Sequence, residues 1–165
     1  MGMPLTGKTT IGKILAKRLN ISFYDLDNII EKKHGDSISN LINIKGEEEF
    51  RNIESGCLKN FPVMDNHVLS LGGGTVNSMN MNAISSYRIR VWLKSNLRTL
   101  ITRFTKDDIK YRPLIDSTNL EESLNNIYIN RAENYDKCSN YAISINNKST
   151  DMIISELTHF INERN

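Results

Sequence analysis

The sequence of 165 residues predicts an α/β protein built around a parallel sheet, and two observations carry that prediction. Short apolar runs alternate along the chain with stretches of helical periodicity, which is typical of parallel strands joined by helices. A glycine-rich loop of the phosphate-binding type also leads directly into the first helical stretch. Because a chain of this length usually forms one domain, we assign residues 1–165 to a single domain.

The helices and strands follow from the spacing of apolar residues. Ile11 and Leu15, for example, recur at helical spacing and predict the first helix. Gly35 and Gly46 end two later helices, and Pro113 breaks the polar loop "TKDDIKYRPLID". The predicted helices are 9–19, 25–34, 37–44, 47–61, 95–104, 119–136 and 150–161, and the predicted strands are "ISFYDLD", "HVLSLGGGT", "RVWLK" and "YAISI".

The composition argues against several classes of protein. A net charge of +2 gives no indication of a nucleic-acid partner or an anionic membrane partner. No apolar run approaches the roughly 18 residues of a membrane span, and we expect no secretory signal. Cys57 and Cys138 lie far apart and the three histidines are scattered, so we expect free thiols in a reducing compartment and no metal cluster. The expected location is the cytoplasm.

The opening segment, "MGMPLTGKTT", contains a phosphate loop in full. Gly2 and Gly7 let the backbone turn so that its N–H groups face phosphate, and the helix that follows adds the positive end of its dipole. Lys8 is then expected to reach the β- and γ-phosphates of a nucleotide, and the hydroxyl of Thr9 to ligate Mg²⁺. The segment therefore predicts a nucleotide site.

Two alternatives stay open for this segment. One is an ordinary glycine turn ahead of a helix. The other is lipidation of the amino terminus, which requires Gly2 after the initiator methionine and Thr6 downstream. Lipidation leaves Gly7, Lys8 and Thr9 unexplained, and we favour the phosphate loop for that reason.

Two carboxylates end the predicted strand "ISFYDLD". Asp25 and Asp27 are two residues apart, so on an extended strand they point to the same side. One is expected to hold Mg²⁺, directly or through water, and the other to accept a hydrogen bond from a substrate hydroxyl and act as base. The alternative is that the pair, and Asp27 in particular, caps the helix that follows.

The segment "LGGGT" follows a buried strand and contains Gly72, Gly73 and Gly74. Ligands of open parallel sheets bind beyond the carboxyl ends of the strands. Glycines at such a place leave room for a small molecule against the backbone. The alternative is a tight turn that binds nothing.

Three arginines are candidates for anion binding. Arg51 lies on a helix after an acidic run, Arg112 lies in the loop of Pro113, and Arg131 lies late in the long helix. A small anionic substrate needs such side chains for its carboxylate, and phosphoryl transfer needs a mobile arginine. Taken singly, each is most often a solvated surface charge.

Six motifs occur in the order and spacing of shikimate kinases, and the chain resembles that family over essentially its whole length: "GMPLTGKTTIGKILAKRL", "FYDLD", "GEEEFRNIE", "LGGGTV", "YRPL" and "NRAENYDKCSNYAI". The resemblance implies a three-layer α/β/α P-loop kinase fold, similar to nucleoside monophosphate kinases, with the strand order 2-3-1-4-5. It also implies phosphorylation of the 3-hydroxyl of shikimate with ATP and Mg²⁺, a step towards chorismate and the aromatic amino acids.

The resemblance implies a role for each matching residue. Lys8 would hold the transferring phosphoryl group, and Thr9 and Asp25 would hold Mg²⁺, Asp25 through water. Asp27 would bind the substrate hydroxyls and deprotonate the attacking one. The remaining roles are nucleotide binding by Gly2, Thr6, Gly7, Thr10, Arg103 and Arg112, with Arg103 on the adenine and Arg112 closing on the phosphates, and shikimate binding by Arg51, Gly72, Gly73, Gly74 and Arg131.

The resemblance also implies two functional regions and reveals one missing element. The substrate-binding region covers about residues 27–60, and a lid that excludes water covers about residues 106–118. The family's first strand, which precedes the phosphate loop in the middle of the sheet, has no counterpart here, so two strands would lack a neighbour and the core would be open. We expect a start at an internal methionine, with an excised piece and a natural truncation as alternatives.

Two other functions stay open. A related small-molecule kinase, such as a gluconate kinase, would share the phosphate loop without needing Arg51, Arg131 and the glycine triplet together. A binding domain without turnover would suit the missing strand, but not the presence of Lys8, Asp27 and Arg112. The expected partner is shikimate, with neither nucleic acid nor membrane, and the expected state is a monomer.

Overall fold

The structure is a computed structural model in which residues 1–62, 66–105, 108 and 114–164 are described. Its helices are α1 (Lys8–Leu19), α2 (Leu26–His34), α3 (Ile38–Lys45), α4 (Glu47–Lys59), α5 (Met81–Ser85), α6 (Leu97–Arg103), α7 (Leu120–Cys138) and α8 (Thr150–Asn162). Its strands are β1 (Ser22–Asp25), β2 (His67–Ser70), β3 (Val91–Lys94) and β4 (Tyr141–Ser144). The predicted alternation of strands and helices is confirmed.

The four strands form two parallel pairs and not one continuous sheet. Strand β1 pairs with β2, with Phe23 opposite Val68, and β3 pairs with β4, with Trp92 opposite Ala142. If β1, β2, β3 and β4 correspond to strands 2, 3, 4 and 5 of the implied order 2-3-1-4-5, strand 1 would lie between the two pairs. Within the described ranges, no strand occupies that place.

A cavity of about 730 Å³ lies between the two strand pairs. Its walls include Val68 of β2, Leu93 of β3 and Leu15 of α1. Met1 lies in its wall and bonds to β3, because the Met1 amine donates a 2.8 Å hydrogen bond to the carbonyl of Val91 and the Met1 carbonyl accepts a 2.9 Å bond from the N–H of Leu93. The expectation of an open core at the missing strand is therefore confirmed.

Helices cover both faces of the strands. Successive strand residues point to opposite faces, and Trp92 and Leu93 belong to different apolar clusters. The cluster of Trp92 includes Leu100 of α6, whereas the cluster of Leu93 includes Ile11 of α1 and Leu157 of α8. The three-layer α/β/α arrangement is thus confirmed. None of the helices in the described ranges has both the length and the apolar character needed to cross a membrane.

One short helix is not predicted, and Asp27, which falls in both a predicted strand and the predicted helix 25–34, lies in the helix. The sequence does not predict α5, because a helix of five residues is too short to establish a helical period. The strand in "ISFYDLD" ends at Asp25, and α2 begins at Leu26, so Asp27 lies in the first turn of a helix. Asp25 and Asp27 therefore do not share one face of a strand.

Candidate active site

The phosphate loop ends at the first turn of α1. Gly7 is the N-cap residue of α1 with a φ of 80°, a left-handed conformation that glycine adopts without strain. No side chain caps this helix end, so its first-turn amides are suited to bind an anion. Gly2 approaches β3 so closely that an added Cβ would lie 2.7 Å from the carbonyl oxygen of Leu93. Glycine is therefore required at both ends of the loop.

Lys8 and Thr6 bond to the same carbonyl inside the loop. The Nζ of Lys8 and the Oγ1 of Thr6 each donate a 2.8 Å hydrogen bond to the carbonyl oxygen of Met3. Because Thr6 is fully buried, its hydroxyl supports the loop from within. Gly2 is buried as well, which does not suit an acylated amino terminus and argues against the lipidation alternative.

Arg103 lies beside the phosphate loop. It is the last residue of α6, and its Nη1 lies 3.4 Å from the carbonyl oxygen of Leu5 and 3.8 Å from an ideal Cβ on Gly7. Thr10 is exposed on the first turn of α1. Arg103 therefore lies directly beside the loop, and Thr10 is accessible to a ligand bound there. Arg112, the predicted lid arginine, lies outside the described residues.

Thr9 and Asp25 are in direct contact. The Oγ1 of Thr9 donates a 2.7 Å hydrogen bond to Oδ2 of Asp25, while Oδ1 of Asp25 accepts a 3.1 Å bond from the N–H of Asp27 and caps α2. The capping alternative is thus correct for Asp25 and wrong for Asp27. A hydroxyl and a carboxylate are hard oxygen ligands of the kind that Mg²⁺ prefers. Across the described part of the chain, no group of three or more His, Cys, Asp or Glu side chains forms a metal site.

Asp27 is half-buried and lies in an acidic environment. Burial raises the pKa of Asp27 from 3.8 to about 6, and the charges of Asp25 and Glu54 add to this effect. The positive charge of Lys8 acts in the opposite direction. A carboxyl group whose pKa lies this close to neutrality is suited to accept a proton at pH 7.

Each glycine of the triplet lies against a different candidate side chain. Measured from an ideal Cβ on each glycine, the distances are 2.7 Å from Gly72 to Oδ1 of Asp27, 3.3 Å from Gly73 to Nη1 of Arg131 and 2.5 Å from Gly74 to Cζ of Arg51. The loop after β2 therefore brings together a carboxylate from α2 and two guanidinium groups from α4 and α7. A tight turn alone does not explain three such approaches.

Arg51 is held on α4 by two carboxylates. Its Nη1 lies 2.9 Å from Oε2 of Glu54, and its Nη2 lies 3.1 Å from Oε1 of Glu47. Glu54 is buried, and its Oε1 accepts a 2.7 Å hydrogen bond from the hydroxyl of Thr75, directly after the triplet. Burial acts to lower the pKa of Arg51, but the two carboxylates outweigh burial and raise it. The guanidinium group is therefore both charged and fixed in place.

Arg131 and Tyr135 lie one turn apart on α7, beside the glycine triplet. The hydroxyl of Tyr135 donates a 2.5 Å hydrogen bond to the carbonyl oxygen of Gly73. Burial raises the pKa of Tyr135 to about 12, although the charge of Arg131 and a hydrogen bond with it act in the opposite direction. The hydroxyl thus keeps its proton and remains a donor at physiological pH.

Three side chains at the site are not predicted from the sequence: Glu54, Thr75 and Tyr135. Glu54 follows Arg51 by three residues, and Tyr135 follows Arg131 by four, both of which are spacings that place side chains together on a helix. These spacings were the available signal. Thr75 carried no signal beyond its position after the glycines.

The chain is similar to shikimate kinases in both sequence and structure. The family model described as shikimate kinase matches residues 4–162. The shikimate kinase of Vibrio parahaemolyticus serotype O3:K6 is 31% identical over 159 residues, which cover 96% of this chain and 91% of the relative. A shikimate kinase from Acinetobacter baumannii in complex with shikimate has a TM-score of 0.87 at 28% identity, covering 99% of this chain and 90% of that one. The crystal structure of shikimate kinase from Bacteroides thetaiotaomicron has a TM-score of 0.87 at 25% identity, and the match covers 98% of this chain and 96% of that one.

Proposed function

The chain belongs to the shikimate kinase family and phosphorylates shikimate with ATP as phosphate donor, and we propose that Lys8, Asp27 and a clamp of Arg51 and Arg131 carry the transfer to the 3-hydroxyl. The products are shikimate 3-phosphate and ADP, within chorismate and aromatic amino acid biosynthesis. The observation that carries this proposal is the glycine triplet, because it brings Asp27 and both arginines beside the phosphate loop.

The phosphate loop binds the donor in this proposal. The first-turn amides of α1 and the ammonium group of Lys8 contact the phosphates of ATP. Lys8 now donates a 2.8 Å hydrogen bond to the carbonyl oxygen of Met3. Nucleotide binding therefore requires Lys8 to break this bond and to donate to a phosphate oxygen instead. Arg103 lies on the same side of the loop and packs on the adenine, and Thr10 completes the phosphate contacts.

Thr9 and Asp25 are the residues that would hold Mg²⁺, Thr9 through its hydroxyl and Asp25 through water. The ion, when bound, neutralises charge on the phosphate oxygens. The 2.7 Å hydrogen bond between the two side chains supports this role, because it keeps a hydroxyl and a carboxylate together beside the first turn of α1.

Asp27 accepts the proton of the attacking hydroxyl. As the 3-hydroxyl oxygen forms its bond to the γ-phosphorus, the bond from that phosphorus to the bridging oxygen of ADP breaks, and the hydroxyl proton passes to the Asp27 carboxylate. A pKa of about 6 leaves Asp27 largely ionised at pH 7 while making it more basic than an ordinary aspartate.

Arg51 and Arg131 bind the carboxylate of shikimate from two different helices. Guanidinium groups form paired, charge-assisted hydrogen bonds to carboxylates, which fixes both the position and the orientation of the substrate. Ion pairs with Glu47 and Glu54 support this role of Arg51, because they hold its side chain in place beside Gly74.

Two regions complete the proposed enzyme. Residues 27–60 form the substrate-binding region, and α2 and α4 within it carry Asp27 and Arg51. The proposed lid covers about residues 106–118, of which only 108 and 114–118 are described, and its Arg112 would close on the phosphates and exclude water from the reacting groups. Loss of activity on Arg112→Ala, with shikimate binding retained, is the result expected of such a lid residue.

The proposed setting is the cytoplasm, and the proposed state is a monomer. Cys57 and Cys138 are free and buried, which suits a reducing compartment. Among the described residues, five large apolar side chains are exposed, each on a different helix or loop: Ile14, Ile44, Met79, Ile129 and Met152. Light scattering after gel filtration tests the monomer directly.

The activity is tested by ADP release with ATP and Mg²⁺ and with either shikimate or gluconate as acceptor. We expect release that depends on shikimate and not on gluconate. Release with gluconate alone would assign the chain to the related kinase activity. Folded protein that binds shikimate without releasing ADP would be the binding domain without turnover.

A further inference from the structure

Tyr135 is the largest fully buried side chain at the candidate site, and none of the roles described above uses it. Its ring packs in the core, with its centroid 5.7 Å from that of Trp92 on β3. Only its hydroxyl reaches the site, where it donates a 2.5 Å hydrogen bond to the carbonyl of Gly73. The side chain therefore connects a rigid part of the core to the glycine triplet.

Gly73 lies where the donor and acceptor sides of the site meet. An ideal Cβ on Gly73 would lie 3.3 Å from Cδ of Pro4 and 3.5 Å from the carbonyl oxygen of Gly2, both in the phosphate loop. The same atom would lie 3.3 Å from Nη1 of Arg131, in the carboxylate clamp. A shift of Gly73 would therefore change the distance between the phosphate loop and the clamp.

Arg131 also depends on the Tyr135 hydroxyl. The two residues are four apart on α7, a spacing that places their side chains together, and the charge of Arg131 acts on the Tyr135 phenol. One phenol thus donates a hydrogen bond to the triplet and lies beside the arginine of the clamp. Such a shared partner fixes both groups at once, which neither a helix backbone nor a glycine loop does alone.

We propose that Tyr135 is a positioning residue that fixes the positions of Gly73 and Arg131 relative to the phosphate loop. The bound acceptor hydroxyl is thereby aligned with the transferring phosphoryl group. This inference rests on the proposed function of Arg131. Phosphoryl transfer depends strongly on the position of the attacking oxygen, so loss of the hydroxyl weakens both shikimate binding and turnover. ATP binding, which uses the opposite side of the loop, is preserved.

The test is Tyr135→Phe in the full chain, which keeps the ring against Trp92 and removes only the hydroxyl. We expect KM for shikimate to rise about 5-fold or more and kcat to fall about 10-fold, as for loss of a hydrogen bond that aligns a reacting group. KM for ATP is expected to stay within about twofold of the wild type. Tyr141→Phe is the matched control. Tyr141 lies on β4, and its hydroxyl donates a 3.0 Å hydrogen bond to Glu156 of α8 and not to a group of the site.

A double-mutant cycle with Arg131→Lys gives a second readout. If Tyr135 acts through Arg131, the two substitutions are non-additive in kcat/KM for shikimate, whereas a general loss of stability gives additive effects. Tyr135→Phe with wild-type kcat and KM, or with only the fall in melting temperature that Tyr141→Phe also shows, would overturn the inference. Failure of the proposed function itself is distinct, because the wild type would then release no ADP with shikimate.

Discussion

An ideal Cβ on Gly72 would lie 2.7 Å from Oδ1 of Asp27, so the glycine leaves the space in which the carboxylate lies. Real Cβ atoms do not approach an oxygen this closely, and the same Cβ would also lie 3.0 Å from Oγ1 of Thr75 and 3.2 Å from Oε1 of Glu54. The position of the proposed base is thus determined by the absence of a side chain on the neighbouring loop.

Gly72→Ala is therefore expected to displace Asp27 and to lower kcat about 10-fold or more, since a misplaced base loses much of its catalytic contribution. The matched control is Gly56→Ala on α4, where an added Cβ meets nothing within 4 Å. That control is expected to keep its activity and to gain about 1 kcal/mol in free energy of unfolding from the higher helix propensity of alanine. Equal activity of the two variants in steady-state assays would contradict the assigned position of Asp27.

Asp27→Asn is expected to lower kcat by about 100-fold or more, because an amide does not accept the hydroxyl proton. ATP binding, measured by calorimetry, is expected to survive. Asp27→Glu, which keeps the carboxylate but displaces it, is expected to retain more activity than the asparagine variant. Unchanged turnover of Asp27→Asn would remove Asp27 from the mechanism.

The same substitution is expected to stabilise the fold in a pH-dependent manner. Because the pKa of Asp27 is raised from 3.8 to about 6 by folding, the wild type loses stability as pH rises through that range and carries the full cost above it. Asp27→Asn removes the cost, so its free energy of unfolding is expected to exceed that of the wild type by about 1–2 kcal/mol at pH 7.5 and by less at pH 4.5. Urea unfolding at both pH values measures this, and an equal gain at both would contradict the raised pKa.

Thr9 provides a test of the Mg²⁺ site. Thr9→Val removes the hydroxyl that contacts Asp25 at 2.7 Å, and activity is expected to fall about 10-fold or more, with a higher Mg²⁺ concentration needed for half-maximal rate. Thr9→Ser keeps the hydroxyl and is therefore expected to retain most of the wild-type activity. A serine variant as impaired as the valine variant would assign the effect to packing instead.

The cavity between the strand pairs predicts a large gain in stability from one added strand. Five apolar, β-branched residues fused ahead of Met1 would continue its bonding to β3 and fill part of the 730 Å³ space against Val68 and Leu93. We expect the melting temperature to rise by about 5 °C or more relative to a fusion of five glycine and serine residues. Equal melting temperatures would show that the cavity does not accept a strand.

Much of this site could be predicted from the sequence, because the phosphate loop and the glycine triplet use residues with specific backbone requirements. Gly7 and Gly72 are recognisable without a structure, since a loop that binds phosphate or lies against a carboxylate needs glycine. The open core could also be expected once a central strand had no counterpart. These features depend on local chemistry and on strand order, both of which the sequence records.

The remaining features depend on burial, which the sequence records poorly. Glu54 is one of four glutamates on α4. Only its burial in contact with Arg51 and Thr75 distinguishes it from the exposed ones. Asp27 falls within both the predicted strand "ISFYDLD" and the predicted helix 25–34, because the boundary between them depends on which carboxylate caps the helix. The sequence does not distinguish Tyr135 from a core aromatic residue, because only the packing of its ring brings its hydroxyl to Gly73.

The most direct test of the central claim is the identity of the phosphorylated product, measured by phosphorus NMR after reaction of the full chain with ATP, Mg²⁺ and shikimate. We predict one phosphate monoester at the 3-hydroxyl in an amount equal to the ADP released, and a loss of about 100-fold in kcat/KM for the methyl ester of shikimate, which lacks the charge that Arg51 and Arg131 bind. Phosphate released to water, a monoester at another hydroxyl, or equal activity on the methyl ester would contradict the account.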